Sequence, residues 1–235
     1  MLELFIGNKN YSSWSLRPWL LMRQLEIPFT ERLVPFEPGS SFTAFRAFSP
    51  SGRVPCLRDG DGAAGIVVWD SLAIVEYLAE RAPAVWPADV KARAWARSVA
   101  AEMHAGFGAL RAGCSMSCGQ RVTLHAISDA LASDVARIDE LWTEGQGRWG
   151  GPFLAGERFT AADAFVAPVA FRWQTYGFAL GAPAAAYARR LLALPATQVW
   201  YEEALVEPWR DAAHEDGIRV AGVVTADHRH ELAGS

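Results

Sequence analysis

Along the first eighty residues, short apolar runs alternate with amphipathic segments of helical period. Residues 2–7 read as a strand, 15–25 as a helix and Thr30–Pro35 as a second strand. A Pro/Gly/Ser-rich loop, Pro35 to Ser41, leads to a short helix near Phe42–Phe48. Two more short strands follow, Pro55–Arg58 and Ile66–Trp69, separated by Asp59-Gly60-Asp61-Gly62. Asp-Gly pairs favour positive φ, so this turn predicts a hairpin. A helical pattern from Leu72 to Arg81 closes the unit. The order β-α-β-α-β-β-α predicts a small α/β domain over 1–81.

The segment 82–87, Ala-Pro-Ala-Val-Trp-Pro, is then a linker, because each proline removes an N–H and disfavours helix before it. Beyond it, long Ala-rich segments keep helical period: Ala88 to about Gly113, Arg121 to Thr143, Ala161 to Tyr176, Ala184 to Leu192 and Thr197 to Leu205. No strand-like alternation of any length is evident, so residues 88–235 are expected to be all-helical, with the last dozen residues frayed.

Composition narrows the function. The formal net charge is −4 and no run of Lys or Arg marks a basic face, which argues against nucleic acid as a partner. No stretch approaches the ~18 apolar residues of a membrane span. The N-terminus reads directly into a strand, without a basic region or cleavage site, so no signal peptide is expected and the cytoplasm is the expected compartment. Cys56, Cys114 and Cys118 form no disulfide framework. Cys114 and Cys118, four apart, read as packing residues, since two ligands without a partner His do not make a zinc site. No metal is expected. His228-Arg229-His230 reads as a solvated end.

Three short motifs carry the chemistry. Tyr11-Ser12-Ser13-Trp14-Ser15-Leu16-Arg17-Pro18 sits at a strand-to-helix turn, where unpaired N–H groups and the helix dipole favour an anion. A cap at Ser15 would put Pro18 in the first helical turn, with Ser12 and Ser13 just ahead of the helix. Gly52-Arg53-Val54-Pro55 opens a short strand with a proline. Trp69-Asp70-Ser71 places an acid and a hydroxyl at another helix start. Each motif alone is equally well a cap or a turn.

In this order and spacing the three motifs resemble the glutathione S-transferase superfamily, and the serine run is similar to the Ser-Ser-Cys-Ser-x-Arg run of its zeta class, with Trp14 in place of the cysteine. The resemblance implies a thioredoxin-like N-terminal domain, an all-α C-terminal domain and glutathione as co-substrate. Ser12 matches the serine assigned to the sulfur, with Ser13 as the second choice. A hydroxyl donating to the sulfur favours the thiolate; lowering a thiol pKa from about 8.5 by two units takes ~2.7 kcal/mol. The Val54–Pro55 bond is expected to be cis, with the Val54 backbone pairing with the cysteinyl part of glutathione. Asp70 and Ser71 are expected at the γ-glutamyl end, Asp70 on the ammonium and Ser71 on the carboxylate. Arg53, Arg17, Lys9 and Asn10 are candidates for the glycyl carboxylate.

The capping box Thr160-Ala161-Ala162-Asp163 recurs in a core helix of the family and implies a folding role. Substrate contacts are expected from the long helix after the linker, where His104, Phe107 and Arg111 share one face and suit a planar or acidic electrophile; Arg172 and Trp173 are weaker candidates. The implied activity is attack of glutathione thiolate on a small electrophile, in a two-fold homodimer. The alternatives are a glutathione-dependent isomerase or peroxidase, or a binding or regulatory protein without turnover. A thiol–disulfide oxidoreductase is disfavoured, because no cysteine lies between Gly7 and Pro18.

Overall fold

The computed structural model describes residues 1–60 and 65–230. The strands β1 (Leu2–Ile6), β2 (Thr30–Leu33), β3 (Cys56–Asp59) and β4 (Ile66–Val68) form one mixed sheet in the order β2-β1-β3-β4. β1 runs parallel to β2 and antiparallel to β3. Asp61 and Gly62 of the expected hairpin turn lie outside the described residues.

The helices α1 (Ser13–Gln24), α2 (Phe42–Arg46) and α3 (Ser71–Ala79) complete this unit. Leu4 and Ile6 of β1 alternate onto one face of the sheet, where both are fully buried with Leu16 and Leu20 of α1. Phe5 points the other way and stacks on Phe48, 4.4 Å between ring centres. The expected start of one helix shifts. α1 begins at Ser13 rather than Ser15, so Pro18 sits inside the helix. Proline there costs one intrahelical bond, to the Trp14 carbonyl, a loss offset by the burial of Ser15 to Met22 around it.

A short 3₁₀ turn, Pro83–Val85, precedes the second half. Its helices are α4 (Val90–Ala105), α5 (Gly108–Gly113), α6 (Asp129–Trp149), α7 (Ala161–Tyr176), α8 (Ala182–Leu192), α9 (Pro195–Val206) and α10 (Ala212–Ala221). Asp89, Ser128 and Asp211 each cap a helix by accepting backbone N–H bonds. The central element is α7, whose alanines let neighbours approach closely and of whose residues nearly all are buried; α1 and α4 both pack on it. Its capping box is formed: the Asp163 carboxylate accepts from Thr160 N–H (2.9 Å) and Thr160 O–H (3.0 Å).

Three expectations need correction. The single helix expected over Ala88–Gly113 is two, because Gly106 is extended and Phe107 takes a left-handed φ of +57°. The helical half also contains a two-stranded sheet, β5 (Gln120–Leu124) against β6 (Gly222–Asp227). Residues 222–230 are therefore held rather than frayed: the Arg229 side chain, 5 % exposed, pairs with Glu215 and Asp227 and donates to the Tyr11 hydroxyl; residues 231–235 of the expected frayed end lie outside the described residues. The apolar pattern missed both strands because each is short and its partner lies about a hundred residues away.

Candidate active site

Two adjoining clefts open between the halves. The smaller, about 390 Å³, is lined by Trp14, Arg53, Val54, Pro55, Asp70, Ser71 and His104 among others. The larger, about 570 Å³, shares Trp14, Arg53 and Val54 and adds Ser12, Ser13, Phe36, Arg111, Arg172 and His214.

The frame of the smaller cleft follows from local structure. Gly52 takes φ +64°, and a side chain there would strike Phe42, so only glycine makes this turn into Arg53. The Val54–Pro55 bond is cis. Neither the N–H nor the C=O of Val54 makes a hydrogen bond among the described residues, so both are open to a ligand. Across the cleft Asp70 Oδ1 caps α3 by accepting from Leu72 N–H (2.9 Å), and Oδ2 faces His104 Nε2 at 3.3 Å. Ser71 Oγ is buried at the helix start with no hydrogen-bond partner among the described residues, a position from which it could donate to a carboxylate. His104 Nδ1 is likewise unpartnered, and burial pushes the imidazole pKa down.

The serines differ in what their hydroxyls do. Ser12 Oγ donates to Ser15 Oγ (2.8 Å), which also accepts from Gly7 N–H (3.1 Å); that proton is committed to bracing the β1–α1 loop. Ser13 Oγ accepts from the Arg172 guanidinium (3.4 Å), which leaves its own proton free to donate into the larger cleft. No side chain caps the N-terminus of α1 among the described residues, and Ser13 N–H bonds the Tyr11 carbonyl (2.9 Å).

The cleft is strongly cationic. Arg53, Arg111 and Arg172 line it, and no Asp or Glu does among the described residues. Arg17 lies behind Trp14, its guanidinium 4.1 Å over that ring and 4.8 Å from Phe165, with Nε and one terminal nitrogen unpartnered. Burial, with Arg172 and Arg111 nearby, pushes the Arg17 pKa down to about 9; burial pushes Arg172 down to about 10. Such shifts mark cations short of counter-charge, and an anion entering the cleft would relieve them.

Other expected contacts fall elsewhere. Phe107 is 6 % exposed and packs in the core, lining neither cleft, because the break before it ends the shared helix face. His104 and Arg111 accordingly serve different clefts. Lys9 pairs with Glu31 (2.7 Å) and Glu203, while Asn10 bonds Ser117 and Gly119, so both tie the halves together. Beside them the buried Glu207 carboxylate accepts from Lys9 N–H (2.6 Å) and Asn10 N–H (3.2 Å), and burial pushes its pKa up to about 7. Trp173 lines neither cleft. The three cysteines are free and buried, and none lines a cleft among the described residues. Sequence reasoning missed Phe36 and His214, which reach the site only through tertiary packing, and kept Arg172 among the weaker candidates.

The fold, a small mixed α/β unit followed by a helical half, is that of the glutathione S-transferases. The glutathione S-transferase N-terminal domain family matches residues 11–81 and the C-terminal domain family matches residues 93–203, so the chain belongs to the glutathione S-transferase superfamily. It is 27% identical to glutathione S-transferase GstB of Escherichia coli over 183 residues, 69% of this chain and 79% of that protein. A glutathione transferase homologue from Burkholderia, solved with bound glutathione, shares the fold at TM-score 0.64 and 21% identity, covering 86% of this chain and 97% of the other. The theta class enzyme of Xanthomonas axonopodis pv. citri, with glutathione bound, matches at TM-score 0.59 and 26% identity over 85% and 96% of the two chains.

Proposed function

We propose that the protein binds glutathione in the smaller cleft and ionises its thiol at the mouth of the larger one, for attack on a small electrophile. The cysteinyl backbone pairs with Val54, and the γ-glutamyl carboxylate takes the Ser71 hydroxyl and the α3 N-terminus. Asp70 receives the ammonium and Arg53 the glycyl carboxylate. Ser13 then donates to the sulfur, with Ser12 bracing the loop that presents it. The observation carrying this reading is Ser13 Oγ, 3.4 Å from the Arg172 guanidinium at the wall of a cleft lined, among the described residues, by three arginines and no Asp or Glu. A charge-assisted hydrogen bond plus that field exceeds the ~2.7 kcal/mol needed to ionise a thiol at neutral pH. The family name of its relatives, GstB among them, supports the same class. The test is a turnover panel with glutathione against halo-aromatics, epoxides, enones, hydroperoxides and maleylacetoacetate analogues. Turnover of none of them, despite saturable glutathione binding, would make this a binding protein.

The cationic wall also sets an expectation for the electrophile. Arg111 donates to the Met103 and His104 carbonyls (3.3 and 3.2 Å) yet still lines the larger cleft. Arg111→Leu should raise KM for a carboxylate-bearing electrophile about tenfold and change KM for a neutral one by less than about twofold. Equal losses for both, with a lower melting temperature, would make Arg111 a structural residue.

The assembly proposed is a two-fold homodimer, α3 of one protomer against α4 of the other. Exposed Ile66, Trp69 and Val90 near these helices are compatible with it. Light scattering at micromolar concentration should give twice 25.6 kDa; the single-chain mass would refute the dimer.

A further inference from the structure

His214 enters the larger cleft from α10, beyond the last residue, 203, matched by the family's C-terminal domain. Its ring stacks on Phe36, with centroids 5.6 Å apart and planes at 5°, and lies 5.0 Å from the Tyr11 ring. Nδ1 is 2.6 Å from Asp211 Oδ2. That carboxylate also accepts from His214 N–H (3.0 Å), so one cap fixes both the helix start and the imidazole. An Nδ1–H held by a carboxylate leaves Nε2 as the nitrogen that exchanges protons. Nε2 makes no hydrogen bond among the described residues, and the side chain is one-third exposed at the cleft wall.

Elimination sharpens the reading. Arginines aside, the titratable groups lining this cleft are Tyr11 and His214. The Tyr11 hydroxyl donates to Glu215 (2.6 Å) and receives Arg229, and burial with that carboxylate pushes its pKa well up. It holds its proton. His214 is the remaining proton carrier.

Resting on the transferase reading above, we infer that His214, positioned by Asp211, is the general acid of the second-substrate cleft, and that the electrophile is one whose attack ends in proton uptake, an enone being the representative. The sulfur lone pair forms the S–C bond at the β-carbon while the C=C π pair moves onto the enolate. The His214 imidazolium gives its Nε2 proton to that enolate, and the Nε2–H pair returns to nitrogen. The proton released when the thiol ionised returns through water to Nε2, so thiol plus enone gives adduct with nothing left over. An aryl halide would expel halide and need no such proton.

The test compares benzylideneacetone with chlorodinitrobenzene as electrophiles for the full-length protein. His214→Phe keeps the stack on Phe36 and removes the proton. It should lower kcat for the enone about 100-fold, the low end of general acid catalysis, with KM changed by less than about threefold. The enone-to-halide ratio of kcat should fall by a similar factor. His214→Gln should behave alike, and Asp211→Asn should cost about tenfold. The other charged or titratable groups around His214 are Asp211, Glu215, Tyr11, Arg229, Arg53, Arg111 and Arg172, and both His214 variants leave them in place. Equal falls for both electrophiles in both variants, or no fall, would overturn the assignment. A wild-type enzyme that turns over the halide but not the enone would overturn it while leaving the transferase reading intact. Inertness to both electrophiles with saturable glutathione binding would overturn both.

Discussion

Ser13→Ala should lower kcat for glutathione conjugation about 100-fold while changing the KM for glutathione by less than about threefold. Ser13 keeps a free proton at the cleft wall and is braced by Arg172, so its bond forms with the thiolate rather than with the bound thiol. A hydrogen bond to a charged acceptor contributes about 1.5–3 kcal/mol, which spans roughly ten- to 150-fold in rate. Ser12→Ala should cost only about three- to tenfold, because its hydroxyl is committed to Ser15 and acts by holding the loop. Steady-state kinetics of the two variants side by side decides the order. Loss of turnover in Ser12→Ala with Ser13→Ala intact would return the sulfur to Ser12, where the positional resemblance puts it.

The second large effect is on stability. Asp163 is fully buried and its carboxylate accepts from Leu154 N–H (2.9 Å), Thr160 N–H, Thr160 O–H and the Tyr187 hydroxyl (2.7 Å). Asp163→Ala leaves several buried donors without an acceptor at the start of the helix around which the second half is packed. The expected cost is about 3–5 kcal/mol, or a fall of roughly 10 °C in melting temperature for a chain of this length. Turnover per folded molecule at low temperature should persist, since Asp163 lines neither cleft. A melting temperature within about 2 °C of wild type would remove the capping box from the account of stability.

Much of this was legible from local signals. Period and breakers located the seven elements of the first half, and α7 runs from Ala161 to Tyr176 as its capping box and apolar run imply. The motif order pointed to the cis Val54–Pro55 bond. What stayed hidden depends on contacts distant in sequence. Gly106 and Gly108 flank Phe107 and mark a helix end, a signal that the continuing helical period on either side masks. β5 and β6 stabilise each other across about a hundred residues, and neither is long enough to be read alone. The choice between Ser12 and Ser13 lies in which hydroxyl Ser15 takes and which one Arg172 reaches from 159 residues away. Local pattern encodes neither. The Asp211–His214 pair does carry a cap signal, but a cap says nothing of the cleft it faces.

The claim that this cleft ionises glutathione is tested most directly by the ultraviolet absorbance of the thiolate in the protein–glutathione complex, followed across pH. The cationic wall and the Ser13 proton predict a midpoint about two units below the ~8.5 of a free thiol, moving back toward it in Ser13→Ala. A midpoint equal to that of free glutathione in the wild-type complex would contradict the account.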